Sequence, residues 1–348
     1  MINVSNKQLN LHINPLVDLL ADLVKCGKNA VYKAKDIAYR TIQSALDNQS
    51  LEAMFKLTKY LSADRMLKHL HNITKDKTKK LIKQGTANLK LPKSVSLAID
   101  FHEKEYYGDK NHIGVIGSKG GKYVRRLIEL SCVSPALFLN AVPVTIFNNN
   151  KVKLIKQFLD EFNASFPKSS IGLLLIDRGF FTKAVVNCLV RRKIPFIMPA
   201  IRNKAIQKLI KQYKQGKLPQ KVRYKFGYYY VTLAFLKVGN EVFVYITNTK
   251  HRTIKLHLLY SKRWQIETNF REQNKFSFLT KTTDFDLRYF AFAIAGLLFN
   301  AWQISRKKLT HIKESYLYKY IASELILSAW QTIAKSRVVK NLDYFLLA

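Results

Sequence analysis

Carboxylates are scarce in this 348-residue chain: 23 Asp and Glu stand against 59 Lys and Arg, a formal net charge of +36. Such an imbalance repels itself unless a polyanion neutralises it, so the first expected partner is nucleic acid and the second an anionic membrane surface. Cysteine is nearly absent as well. Cys26, Cys132 and Cys188 are widely scattered with no CxxC, which excludes a thiolate zinc site and reads as reduced core residues of an intracellular protein. No His pair has metal-ligand spacing, so His102, His112 and His251 are read as surface or polar-turn residues. Long apolar runs are missing too. The longest, Tyr289 to Trp302, has 14 residues and contains Asn300, short of the roughly 20 a membrane span needs. The first residues lack the charged start and apolar stretch of a secretory leader. A cytoplasmic protein with no membrane partner is expected.

What the chain does have is enough apolar residue, 48%, to bury a core, and a length that suits two or three units. Residues 1–92 read as helical and basic, a candidate DNA-binding region. Leu16, Leu19, Leu20, Leu23 and Val24 recur at helical spacing, and Leu51–Tyr60 and Ala63–Ile73 form a short helix pair with Ser62 as N-cap. That pair suits a helix-turn-helix reader and an ordinary helical hairpin equally. Lys75, Lys77, Lys79, Lys80 and Lys83 follow as a dense run, and Pro92 marks a boundary.

From Ser94 the pattern turns to strands: Val95–Phe101, Tyr123–Val133 and Leu137–Ile146, then a helix over Lys151–Phe166, an apolar strand Ile171–Ile176, a helix Thr182–Arg192 and a strand Pro195–Pro199. The order β-β-β-α-β-α-β is that of a ribonuclease H-like domain. Asp100 is expected at the end of the first strand and Asp177 at the end of the fourth, where open α/β sheets gather their sites. A lone Asp after a strand also serves as turn former or helix cap. Beyond lies Ile201–Lys225, with nine Lys and Arg, Lys208 and Lys211 among them, and no acid. It reads as a solvated basic helix or as a phosphate-contacting surface. Tyr228–Phe235 and Glu241–Thr247 then read as strands. Finally, YSKRWQIETNFREQNK places Tyr260, Arg263, Glu267 and Arg271 at steps of three, four and four, one face of a single predicted helix with Trp264, Ile266 and Phe270 opposite. Three acids, Asp100, Asp177 and Glu267, supply what a two-metal phosphoryl-transfer site requires, because hard cations prefer oxygen ligands.

Asp100 within IDFHEKEYYGD, Asp177 within IDRGF, and Tyr260, Arg263 and Glu267 at Tyr-x2-Arg-x3-Glu spacing together resemble the insertion-sequence transposases of the DDE type with a Tyr-x2-Arg-x3-Glu-x6-Lys signature. The signature Lys falls at 274, where this chain has Asn274, and Lys275 comes one residue later. The resemblance implies an α/β fold: a ribonuclease H-like catalytic core (93–200, completed by 259–310 with the catalytic helix), a basic and β-rich insertion (201–258), the helical region 1–92 and a C-terminal helical region 311–348. It implies hydrolysis at the element's terminal inverted repeats and transfer of the freed 3′-OH to target DNA. Two Mg²⁺, replaceable by Mn²⁺, would be held by Asp100, Asp177 and Glu267, with Asp100 bridging both. Tyr260, Arg263, Arg271, Lys275, Arg178, Lys208 and Lys211 would contact DNA phosphates, and Trp264 would either flank a flipped base or pack in the core. The partners implied are double-stranded DNA, both repeat ends and target, and a second copy of the chain in a prokaryotic, nucleoid-associated setting. A ribonuclease H-like nuclease or resolvase, or a non-catalytic transposase-derived DNA-binding protein, are the alternatives. The presence of all three acids argues against the last.

Overall fold

The computed structural model describes residues 6–27, 30, 32–58, 61–308, 314–324 and 326. Most of 311–348, and the end of the predicted helix at Tyr60, lie outside them. The chain divides into two compact units, residues 89–269 and residues 1–88 with 270–348. The N-terminal part of the latter holds α1 (Asn6–Leu23), α2 (Ala34–Leu46), α3 (Leu51–Thr58), α4 (Ala63–Leu70) and α5 (Lys75–Thr86). The helical spacing resolves as expected: Leu16, Leu20 and Leu23 are buried along α1, and Leu81 and Ile82 along α5 while Lys80 and Lys83 stay outside.

The unit 89–269 is built on one sheet. Its strands are β1 (Ser94–Glu105), β2 (Ile116–Gly117), β3 (Tyr123–Cys132), β4 (Leu137–Val144), β5 (Ser170–Ile176), β6 (Phe196–Pro199), β7 (Lys221–Phe226), β8 (Tyr229–Val238) and β9 (Glu241–Thr247). The pairing order is β2-β3-β1-β5-β6-β9-β8-β7, with β4 also beside β3. β1, β3 and β4 are antiparallel neighbours, whereas β1–β5 and β5–β6 are parallel. The parallel pairs need crossovers, and α6 (Lys151–Ser165) and α7 (Lys183–Arg191) supply them. This is the ribonuclease H-like arrangement that the element order predicted. Leu154, Ile155, Phe158, Leu159 and Phe162 of α6 and Val185, Val186 and Leu189 of α7 pack into one core with Val95, Leu97, Ile99, Leu174 and Ile176. Burying each such side chain contributes roughly 1.5–3 kcal/mol.

Two expectations change. First, the β-rich stretch extends the core sheet: β9 pairs antiparallel with β6, and β8 and β7 follow outward. Second, 201–225 is not one basic helix. α8 (Lys204–Lys214) occupies its middle, capped by Asn203, whose side chain accepts from Ile206 N at 3.0 Å. The remainder is β7, whose alternation places Val222 and Tyr224 against the core and Lys221, Arg223 and Lys225 outward, a period of two that the density of lysine obscured.

After β9 come α9 (Thr253–Ser261), α10 (Trp264–Asn274) and α11 (Phe285–Lys308). α11 belongs with α1–α5. At Gly85 of α5 an added Cβ would lie 2.6 Å from Leu297 Cδ2 of α11, so the glycine marks close helix packing, against the roughly 1 kcal/mol that Gly costs inside a helix. Lys75 N donates to Asp286 Oδ2 at 3.0 Å, tying the first turn of α5 to that of α11. The run read as too short for a span therefore belongs to a longer helix. Phe285–Lys307 is long and apolar enough by length and composition to cross a membrane, but 89% of its apolar window is buried inside the protein, as in a core helix.

Candidate active site

Register brings the first two acids together. Ile99 pairs with Ile176 in the parallel β1–β5 ladder, so Asp100 and Asp177, one residue on, stand side by side on the same sheet face. Asp100 is not at a strand end, as the sequence suggested. β1 runs on to Glu105, paired with β3 from Leu97 onward, so the backbone is held before and after Asp100. Asp177 does follow the last residue of β5. Its Oδ2 accepts from Gly179 N at 2.8 Å and caps the short turn Arg178–Phe180. Phe180 stacks on Phe101 with ring centroids 4.5 Å apart, which locks that turn against the residue after Asp100.

The third acid arrives by a broken helix. The single predicted helix through 260–275 is two: α9 ends at Ser261, Lys262 is its C-cap, and α10 begins at Trp264. Tyr260 thus closes one helix, Glu267 lies in the first turn of the next, and Arg263 sits in the connection, its N–H donating to Tyr260 O at 2.8 Å. The break turns Arg263 inward. Its Nη1 donates to Asp100 Oδ2 and its Nη2 to Glu267 Oε1 at 3.2 Å, and its Cζ lies 5.5 Å from the centre of the Tyr260 ring. One guanidinium therefore bridges two of the three acids. Its side chain and that of Asp100 are 11% and 12% exposed, whereas Glu267 is 44% exposed.

Electrostatics tie the cluster together. Burial, chiefly, with Asp177 and Glu267 nearby, pushes the Asp100 carboxyl up to about 6 despite Arg263 and the Phe101 N–H. Burial opposes the charge of Arg263, but Tyr260, Asp100, Asp177 and Glu267 together hold its acidity below the ordinary value. Burial likewise keeps the Tyr260 phenol protonated well beyond its normal range. Lys151, not singled out from the sequence, borders the same region: its Nζ donates to Gly179 O at 2.6 Å. Its place at the start of α6, behind the Asn150 cap, is the signal that marks it.

The remaining expected residues divide. Arg178, Lys208, Lys211 and Arg271 are exposed. Lys275 lies just past α10 and pairs with Glu272 at 2.6 Å, while Glu272 also accepts from Ser315 Oγ at 2.6 Å. The Trp264 and Ile266 side chains lie outside the described residues. His102 is neither surface nor turn: it sits half-buried inside β1, and desolvation, with Lys104 assisting, pushes it down to about 4.

Among the described residues no three of His, Cys, Asp and Glu stand close enough to enclose a metal ion. The Arg263 guanidinium lies between Asp100 and Glu267. The donor chemistry is nevertheless that of a hard divalent cation: Asp100 and Glu267 offer carboxylate oxygens to the guanidinium between them, and Asp177 is near enough to help raise the Asp100 carboxyl.

A ribonuclease H-like sheet carrying neighbouring acids at the β1–β5 pair defines a class of enzymes that act on nucleic acid phosphodiesters. The family within it follows from comparison. The chain belongs to the transposase DDE domain family, whose model matches residues 96–293. It is thus a DDE transposase, an enzyme of DNA cleavage and strand transfer, and such enzymes generally use divalent metals. Among solved structures it is similar to a piggyBac transposase synaptic complex with hairpin DNA, with a TM-score of 0.62 and 13% identity, over 93% of this chain and 81% of that one. At that identity the likeness concerns the fold. No curated protein sequence matches the chain.

Proposed function

We propose that this chain is the transposase of an insertion sequence. It binds the element's terminal inverted repeats, hydrolyses the phosphodiester bond at each end and joins the freed 3′-OH to target DNA. The β1–β5 register, which sets Asp100 beside Asp177 with Glu267 linked to Asp100 through Arg263, carries this reading. Asp100, Asp177 and Glu267 would hold two Mg²⁺, or Mn²⁺ in their place. Bound there, such ions activate the attacking oxygen and stabilise the leaving one.

The chain's own residues supply position and charge. β1 keeps Asp100 from shifting when DNA arrives, and the turn capped by Asp177 is braced by Phe101 and Phe180. Tyr260, protonated and half of a stacked pair with Arg263, offers a phenol O–H beside a planar fork of N–H donors, which suits a phosphate next to the cleaved bond. Lys208 and Lys211 on α8, with Arg178, Arg271 and Lys275, hold phosphates without regard to sequence, and the charge of +36 drives association. The enzyme acts as a homodimer with one copy at each end, in a prokaryotic cytoplasm at the nucleoid. Trp264 flanks an extruded base when ends are processed through a hairpin.

The test is to incubate the protein and Mg²⁺ with the DNA that flanks its own gene, scoring nicks at repeat ends and joined products. Replacing Asp100, Asp177 or Glu267 by Ala abolishes both products and leaves DNA binding intact. A Glu267→Ala protein that still cuts overturns the assignment.

A further inference from the structure

We infer that Arg263 couples metal loading to DNA binding: in the DNA-free enzyme its guanidinium occupies the place a divalent cation would take, and a DNA phosphate draws it away. The inference rests on the proposed active site and adds an order of assembly to it.

Three observations carry it. The guanidinium bridges Asp100 and Glu267, two of the three acids, from a loop between α9 and α10. The bridge is incomplete. Arg263 Nε is buried with no hydrogen-bond partner, and a buried donor left unsatisfied weakens the arrangement that holds it. A phosphate, with several acceptor oxygens, can satisfy the fork more fully than two carboxylates from separate elements. Finally, the two groups differ in freedom. Asp100 is fixed inside a paired strand, whereas Arg263 lies in a two-residue connection between α9 and α10, whose dihedrals can change without melting a helix. Of the two, the arginine has the backbone that can turn, so the cation position would open by its departure.

The chemistry is a simple exchange. Bound at Asp100 and Glu267, Arg263 competes with a metal by charge and by occupying their oxygens. Swung onto a phosphate, it releases those oxygens and neutralises the new anion. By reciprocity, whatever factor DNA adds to metal affinity, metal adds to DNA affinity.

The experiment titrates full-length protein with Mn²⁺ by calorimetry, with and without a short duplex bearing the repeat end. An Asp100→Asn, Asp177→Asn, Glu267→Gln triple variant serves as the blank for ions held by DNA. Wild-type protein is expected to bind Mn²⁺ about tenfold more tightly with DNA present. Arg263→Ala is expected to bind Mn²⁺ without DNA at least as tightly as wild type does with it, and to lose the DNA effect. Arg263→Lys, which keeps the charge but not the two-armed fork, falls between. Arg263→Gln with a matching melting curve stands in should the alanine variant fail to fold. Equal Mn²⁺ affinity in wild type with and without DNA overturns the inference, as does an Arg263→Ala or Arg263→Gln protein no tighter than wild type alone. A triple variant that binds Mn²⁺ like wild type overturns instead the active site on which it rests.

Discussion

Replacing Asp100 by Asn in the metal-free, DNA-free protein changes how stability responds to pH. Burial, above all, raises this carboxyl from its ordinary value of 3.8 to about 6. At 1.36 kcal/mol per pH unit the displacement corresponds to about 3 kcal/mol. Between those two pH values the unfolded chain has released the proton and the folded chain keeps it. The folded state then binds more protons, so the contribution is fully present below about 3.8 and is lost as pH rises through about 6. Asn does not titrate. The stability of Asp100→Asn relative to wild type should therefore climb by about 3 kcal/mol from pH 3.8 to pH values above 6. The attraction of Arg263 for the ionised carboxyl is already contained in that value of about 6, so only the uncharged difference between the Asp and Asn side chains appears as an offset across the range. Guanidinium denaturation of both proteins at a series of pH values, followed through the unit 89–269, measures the difference. Two curves parallel across that window, to within about 1 kcal/mol, would refute the claim that Asp100 is held in a desolvated, acid-crowded position.

Neutralising Lys204, Lys208, Lys211 and Lys214 on α8 to Gln should flatten the dependence of log DNA affinity on log salt by about 0.9 for each phosphate the helix no longer holds, measured by fluorescence anisotropy; an unchanged slope means α8 only faces solvent. Lys275→Ala breaks an exposed pair with Glu272, so melting should shift by the equivalent of about 1 kcal/mol at most, while end binding weakens in a salt-dependent way. Asn274→Lys with Lys275→Asn should keep or raise cleavage, and a double variant that fails to cut while Lys275→Ala is harmless would refute the placement of the signature's last position. Gly179→Ala puts a Cβ 3.1 Å from Asp177 Oδ2 and 3.3 Å from Phe101 Cε2. Displacing that acid should slow cleavage roughly ten- to hundredfold with little change in melting, and a full-speed variant would show that the turn is not critical.

How far the sequence discloses these arrangements depends on whether the cause is local. The apolar run into Asp177 and the alternation around Asp100 mark two strands, and their types are readable because a buried strand and an amphipathic one differ in period. Their adjacency is a matter of register, which the element order suggests and only the ladder supplies. The stretch through Tyr260 and Glu267 reads as one helix because its periodicity is helical on both sides of the break. The break coincides with a long-range bond that no local pattern announces: Arg263 reaches Asp100, 163 positions away. β7 is hidden by its lysines, which raise the apparent polarity of a strand whose inner face, Val222 and Tyr224, is apolar. Gly85 is similar. Nothing near it in sequence explains a glycine inside α5, whereas Leu297 of α11 does.

β7 also bears on how so basic a chain stays dispersed. It ends the pairing order of the sheet, and an unpaired strand edge is a template for joining other copies into fibrils. Lys221, Arg223 and Lys225 project at every second position along it, so two such edges brought together would face each other with like charges at each step. The lysines and arginines of this stretch thus guard against self-association in the free protein. A polyanion would weaken that guard, and crowding many copies on bare nucleic acid is the condition under which this protein should precipitate.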